Sequence, residues 1–125
     1  MSKQQKERID PYLELQWQKL LSKLEKIIGK RPQNIEAVLF LIGMRELGKG
    51  ARHFSKEQKQ DLMHIAVCRV LSKSGFYELE GVDAEGWPHW KLLKPLPKLD
   101  LLSQEALLKT HIIDYFHEEG IIENE

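Results

Sequence analysis

One cysteine, Cys68, is all the chain has, so no internal disulfide can form and a stapled secreted scaffold is excluded. Long apolar runs are missing too. The richest stretch, Ala37–Met44, spans eight residues, against the roughly 20 that a helical membrane span needs. Residues 1–10 are polar, with no apolar core of signal-peptide length. No membrane association is expected, and the cytoplasm is the expected location. Net charge is also absent: nineteen Lys and Arg balance nineteen Asp and Glu, so the chain exerts no bulk attraction on polyanions. The balance is not local, because residues 1–75 hold fifteen basic against eight acidic side chains and residues 76–125 hold four against eleven. Attraction between the two halves within the fold is the plain reading of that polarity.

Motifs that would name a chemistry are lacking as well. There is no glycine-rich phosphate loop, no Gly-x-Ser-x-Gly elbow and no Cys-x-x-Cys pair. Gly48-Lys49-Gly50 follows an apolar helical run, whereas a phosphate loop precedes a helix, so it reads as a helix stop.

What is present is enough to fold. With 125 residues, 42% of them apolar and 30% charged, the chain can bury a core without a metal or disulfide. The pattern predicts a mainly α, four-helix single domain over residues 10–120. One two-stranded antiparallel β-hairpin, at about 76–93, falls between the third and fourth helices. A disordered leader (1–9) and a loose acidic tail (121–125) flank the domain. Asp10-Pro11 opens the first helix, Leu13, Trp17, Leu20, Leu21, Leu24 and Ile28 give it an apolar stripe, and Gly29 ends it. The second runs from about Asn34 to Leu47 and is apolar around most of its circumference, which predicts a central helix. Ser55 and Gln58 form a capping-box pattern opening a third helix to about Lys73, with a stripe of Leu62, Met63, Ala66, Val67, Val70 and Leu71. Asp83-Ala84-Glu85-Gly86, between two runs rich in aromatic and aliphatic residues, suits a hairpin turn with a glycine bulge. After the extended Lys94-Pro95-Leu96-Pro97, a fourth helix is expected from about Ser103 to Glu118, burying Leu108, Ile112, Tyr115 and Phe116.

Phe40-Leu41-Ile42-Gly43, Asp61-Leu62-Met63-His64-Ile65-Ala66 and above all Gly86-Trp87-Pro88-His89-Trp90 together make the chain look like a family of small bacterial proteins. That resemblance implies no activity, substrate or cofactor.

Two constellations carry chemistry. On the third helix, Glu57, Asp61, His64 and Cys68 fall within about a 60° arc at 100° per residue, outside the apolar stripe. His64 and Cys68 at i, i+4 are a sound metal-ligand pair, so Asp61, His64 and Cys68, joined by His89 from the hairpin, form the candidate metal set. The plainer alternative is that the outer side of a helix collects polar residues and that a small cysteine packs there. On the hairpin, pairing Asp83 with Trp87 sets Gly81 opposite His89 and Glu80 opposite Trp90. Asp83, Trp87, His89 and Trp90 then form the candidate ligand-binding set, an aromatic-walled pocket in which a carboxylate tunes an imidazole. The plainer alternative is that both tryptophans clamp the hairpin to the helices, gaining area and an N–H bond.

With no catalytic motif, the sequence favours a non-catalytic interaction or accessory module, partnered by another protein or a second copy of the chain. No cofactor is required. The alternative is a small-ligand or metal site between the third helix and the hairpin. Three helices followed by a hairpin is also the order of a winged-helix DNA-binding protein. However, residues 74–90 contain Glu78, Glu80, Asp83 and Glu85 and no basic residue to meet phosphates, so nucleic-acid binding is not expected.

Overall fold

The computed structural model describes residues 10–50 and 52–122; the expected leader (1–9) and the last three residues of the expected tail lie outside them. The described residues form four helices, and a two-stranded antiparallel sheet lies between the third and the fourth. It divides into two compact units, one made of residues up to Gln33 with those from Pro97 onward, the other of Asn34–Leu96.

In the first unit, α1 (Pro11–Ile28) begins where the Asp10 carboxylate accepts the amides of Tyr12 and Leu13 at 2.9 and 3.4 Å. It ends at Gly29, whose φ of 89° is accessible to glycine without strain. Trp17, Leu20, Leu21 and Leu24 are buried, following the expected stripe. α4 (Leu101–Glu118) lies against α1. Lys109 of α4 reaches Glu14 at 3.3 Å and sits 5.3 Å above the Trp17 ring.

α4 starts two residues before the expected Ser103, because Asp100 caps it by accepting the Ser103 amide at 2.8 Å. Leu101 is 81% exposed and Leu102 40%, so the first turn carries no apolar periodicity to announce it. Ile112, Tyr115 and Phe116 are buried as expected, while Leu108 is half-buried. Ile121 and Ile122, expected in the loose tail, instead donate their amides to the Phe116 carbonyl at 3.0 and 3.3 Å, and Ile122 is buried.

In the second unit, α2 (Ile35–Leu47) is capped by Asn34 and stopped by Gly48. α3 (Lys56–Ser72) opens with the full capping box: the Gln58 amide donates to Ser55 Oγ at 3.1 Å and the Ser55 amide to Gln58 Oε1 at 3.0 Å. The two helices pack closely at Gly43, where a Cβ would lie 2.7 Å from the Leu62 carbonyl carbon. Arg69 of α3 also meets Glu46 of α2 at 3.3 Å.

The chain leaves α3 through Ser74-Gly75, with the Phe76 amide bonded back to the Leu71 carbonyl at 3.3 Å. This sends β1 (Tyr77–Val82) and β2 (Pro88–Leu92) back alongside α3. The expected Gly81–His89 pair forms. The expected Glu80–Trp90 pair does not: an irregularity between Leu79 and Gly81 leaves Glu80 without a partner, and Leu79 stands opposite Trp90. One extra residue in a strand shifts every pairing beyond it.

Candidate functional site

The second unit holds a cavity of about 450 Å³ between α3 and the hairpin, within the range of small-molecule sites. Gln58, Asp61, His64 and Ile65 contribute from α3, and Asp83, Glu85, Trp87, Pro88, His89 and Trp90 from the turn and β2. Successive turns of one helix face supply Gln58, Asp61 and His64, and the capping box holds Gln58 at the start of that row.

Asp83 organises the opposite wall. Its Oδ1 accepts the amides of Glu85 and Trp87, each at 2.9 Å, and its Oδ2 lies 2.9 Å from His89 Nε2. The backbone closes the same loop, the Asp83 amide donating to the Trp87 carbonyl and the Gly86 amide to the Asp83 carbonyl, both at 3.0 Å. Lys49 Nζ donates to the Glu85 carbonyl. The pair is open to water, with 60% of the His89 side chain and 37% of that of Asp83 exposed. The His89 bond, followed by the Trp87 amide, holds the Asp83 carboxyl below its ordinary value of 3.8.

A depressed carboxylate contributes stability that is present above the unfolded pKa and is lost as pH falls through the folded pKa. The turn therefore keeps its carboxylate clamp down through pH 3.8 and gives it up only below that value. In an NMR titration, the Glu85 and Trp87 amide protons are expected to move together with the Asp83 carboxyl below pH 3.8, and Asp83→Asn should remove that step. Amides that titrate at or above that pH, or not at all, would show that the clamp does not hold in solution.

Trp87 has two roles. It lines the cavity and also packs against the buried cluster of Leu47, Phe54 and Leu62, with Phe40 and Met44 beside it. The clamping expected of a hairpin tryptophan and the pocket wall are thus provided by one side chain. Trp90 departs from expectation, since its Nε1 is buried and has no hydrogen-bond partner among the described residues. An orphaned donor of this kind costs about 1–3 kcal/mol.

Cys68 does not stand on the polar ridge. It is fully buried among the core residues of α3 and does not line the cavity, behaving as the small hydrophobe that a free cysteine usually is. Burial pushes its thiol up to about 11, which withholds the thiolate near neutral pH. Its Sγ lies 3.5 Å from His64 Nε2, and the His64 ring meets Tyr77 edge-on at 6.4 Å.

The four residues of the candidate metal set are therefore divided. Asp61, His64 and His89 share the cavity wall, while Cys68 lies off it with its Sγ 3.5 Å from His64 Nε2. Among the described residues, no group of three or more His, Cys, Asp or Glu side chains is placed to hold a metal ion. By contrast, Asp83, Trp87, His89 and Trp90 all reach one cavity. Gln58, Ile65, Glu85 and Pro88 line it as well and lay outside both candidate sets. Gln58 carried a signal in the capping box, Glu85 in the hairpin turn and Pro88 in the Trp87-Pro88-His89-Trp90 run, while Ile65 carried none of its own.

No helix among the described residues is long and apolar enough to cross a membrane. The chain matches no protein-family model, no curated protein and no solved structure.

Proposed function

We propose that the protein is a small-ligand-binding module whose site is the cavity between α3 and the hairpin. One observation carries this reading: Asp61, His64, Asp83, Trp87, His89 and Trp90, drawn from two separate constellations, line a single cavity. Two indoles supply apolar wall, and a few polar groups converge beside them, the usual composition of a small-molecule site. The Asp83 clamp gives the wall a fixed backbone, so the site is largely formed before a ligand arrives. An interaction module, which the missing motifs favoured, would draw instead on exposed hairpin residues such as Leu79 and Leu92, but they come with no feature that identifies an occupant.

The test is protein-observed NMR with a library of neutral, anionic and cationic fragments at about millimolar concentration, where weak ligands of small sites first register. Hits are expected to move the amides of His64 and of residues 83–90 together. If no fragment does so, the cavity is not a binding site.

A further inference from the structure

Resting on that reading, we infer that the ligand is a small organic cation, an alkylammonium or quaternary ammonium compound. The charge of the wall decides the sign. Among the described residues, Asp61, Asp83 and Glu85 line the cavity, and no lysine or arginine does. Asp83 is already engaged by His89 and two backbone amides. Asp61 and Glu85 differ from it: among the described residues, neither carboxylate makes a hydrogen bond or an ion pair. Lys49 approaches Glu85 at its backbone carbonyl, leaving that carboxylate unpaired.

Two free carboxylates in a concave site repel a phosphate or carboxylate ligand and attract a cation. His89 is committed to Asp83, with Nε2 2.9 Å from its Oδ2, and His64 Nε2 lies 3.5 Å from the Cys68 sulfur, so both ring nitrogens are directed at partners within the protein.

The indoles select the kind of cation. A strongly hydrated metal ion gains little from an aromatic wall, and among the described residues no three His, Cys, Asp or Glu side chains are gathered to replace its water. An organic cation carries apolar substituents that suit Trp87 and Trp90, and its charge is attracted to the negative face of an indole. A cavity of about 450 Å³ admits a molecule of several heavy atoms. Carboxylates beside tryptophans meet both of its needs, charge neutralisation and apolar contact.

The experiment uses calorimetry and NMR shift mapping on the full chain with choline, its neutral carbon isostere 3,3-dimethylbutan-1-ol, and inorganic phosphate. Choline is expected to bind about tenfold or more tightly than the isostere, to move the amides of His64 and residues 83–90, and to weaken as salt is raised. Asp61→Asn and Glu85→Gln change exposed side chains, so both variants should fold. Each should weaken choline about threefold or more while leaving the isostere unchanged. Isostere binding equal to or tighter than choline, or phosphate binding at these amides, would overturn the cation assignment and leave the binding cavity standing. Choline failing at a cavity that accepts other library fragments would do the same. A cavity that accepts no fragment at all removes both readings.

Discussion

Replacing Gly43 with alanine is expected to destabilise the protein by about 2–3 kcal/mol, the cost of forcing extra volume into a closed contact. The sign is the informative part. In an open helix, alanine is favoured over glycine by about 1 kcal/mol, so propensity alone predicts a gain. At Gly43, a Cβ would collide with the Leu62 carbonyl oxygen and lie 2.7 Å from its carbonyl carbon and 2.9 Å from its Cβ. Two of those atoms are backbone and cannot rotate aside, so α2 and α3 must separate, and Leu62 and Ile42, both almost fully buried, would lose contacts as they did. Urea denaturation of wild type and Gly43→Ala checks this. Equal or greater stability in the variant would mean that the two helices do not approach this closely. Gly43→Val should cost more than Gly43→Ala, because the side chain enters the same space with two further carbons.

Much of the fold was legible because it is written in local chemistry. Asp10-Pro11, Asn34 and Ser55 with Gln58 each mark a helix start by satisfying amides that the helix cannot satisfy itself, and Gly29 and Gly48 mark two ends. The turn at Asp83–Gly86 was readable for the same reason. What escaped depends on partners distant in sequence. The irregularity at Glu80 exists only in the pairing of two strands. The start of α4 escaped because its leading leucines face outward, while the cap, Asp100, stands before them without an apolar stripe to flag it. The close approach at Gly43 had no signal either, since a lone glycine inside an apolar helix does not name its neighbour.

The site was legible in halves. Helical spacing put Asp61 and His64 on one face, and the hairpin reading put Asp83 and His89 in one set; the halves meet because the short Ser74-Gly75 connection returns the hairpin alongside α3. Cys68 lies apart from the ridge with which helical spacing grouped it, because a thiol is not a polar side chain in its burial. Energetically it sorts with Ile65 and Ala66, and all three are buried. Glu85 and Pro88 passed as turn and strand residues because nothing local distinguishes a turn carboxylate in solvent from one on a cavity rim.

The second large effect is expected at Phe54. Phe54→Ala should cost about 3–5 kcal/mol, the range for truncating an enclosed aromatic ring. Phe54 precedes the Ser55 cap, in a segment with no helical or strand periodicity, yet it is only 2% exposed. Its ring meets Phe40 edge-on at 6.1 Å, Arg52 stands 5.3 Å over it, and Leu47 and Leu62 complete the cluster against which Trp87 packs. Truncation would leave a void beneath that tryptophan. The cavity wall and the core should therefore weaken together, which a purely structural loop residue would not cause. The measurements are a urea melt and the NMR signal of the Trp87 indole N–H, which should shift or broaden in the variant. Phe54→Leu, which keeps most of the volume, should lose less stability and leave the indole signal closer to wild type. A loss of less than about 1 kcal/mol, within the ordinary run of point mutations, together with an unmoved Trp87 signal, would show that Phe54 does not support the wall. The choline affinity of Phe54→Leu then separates the two roles of Trp87: a ligand site that depends on a firmly seated indole should weaken in step with the displacement of that signal.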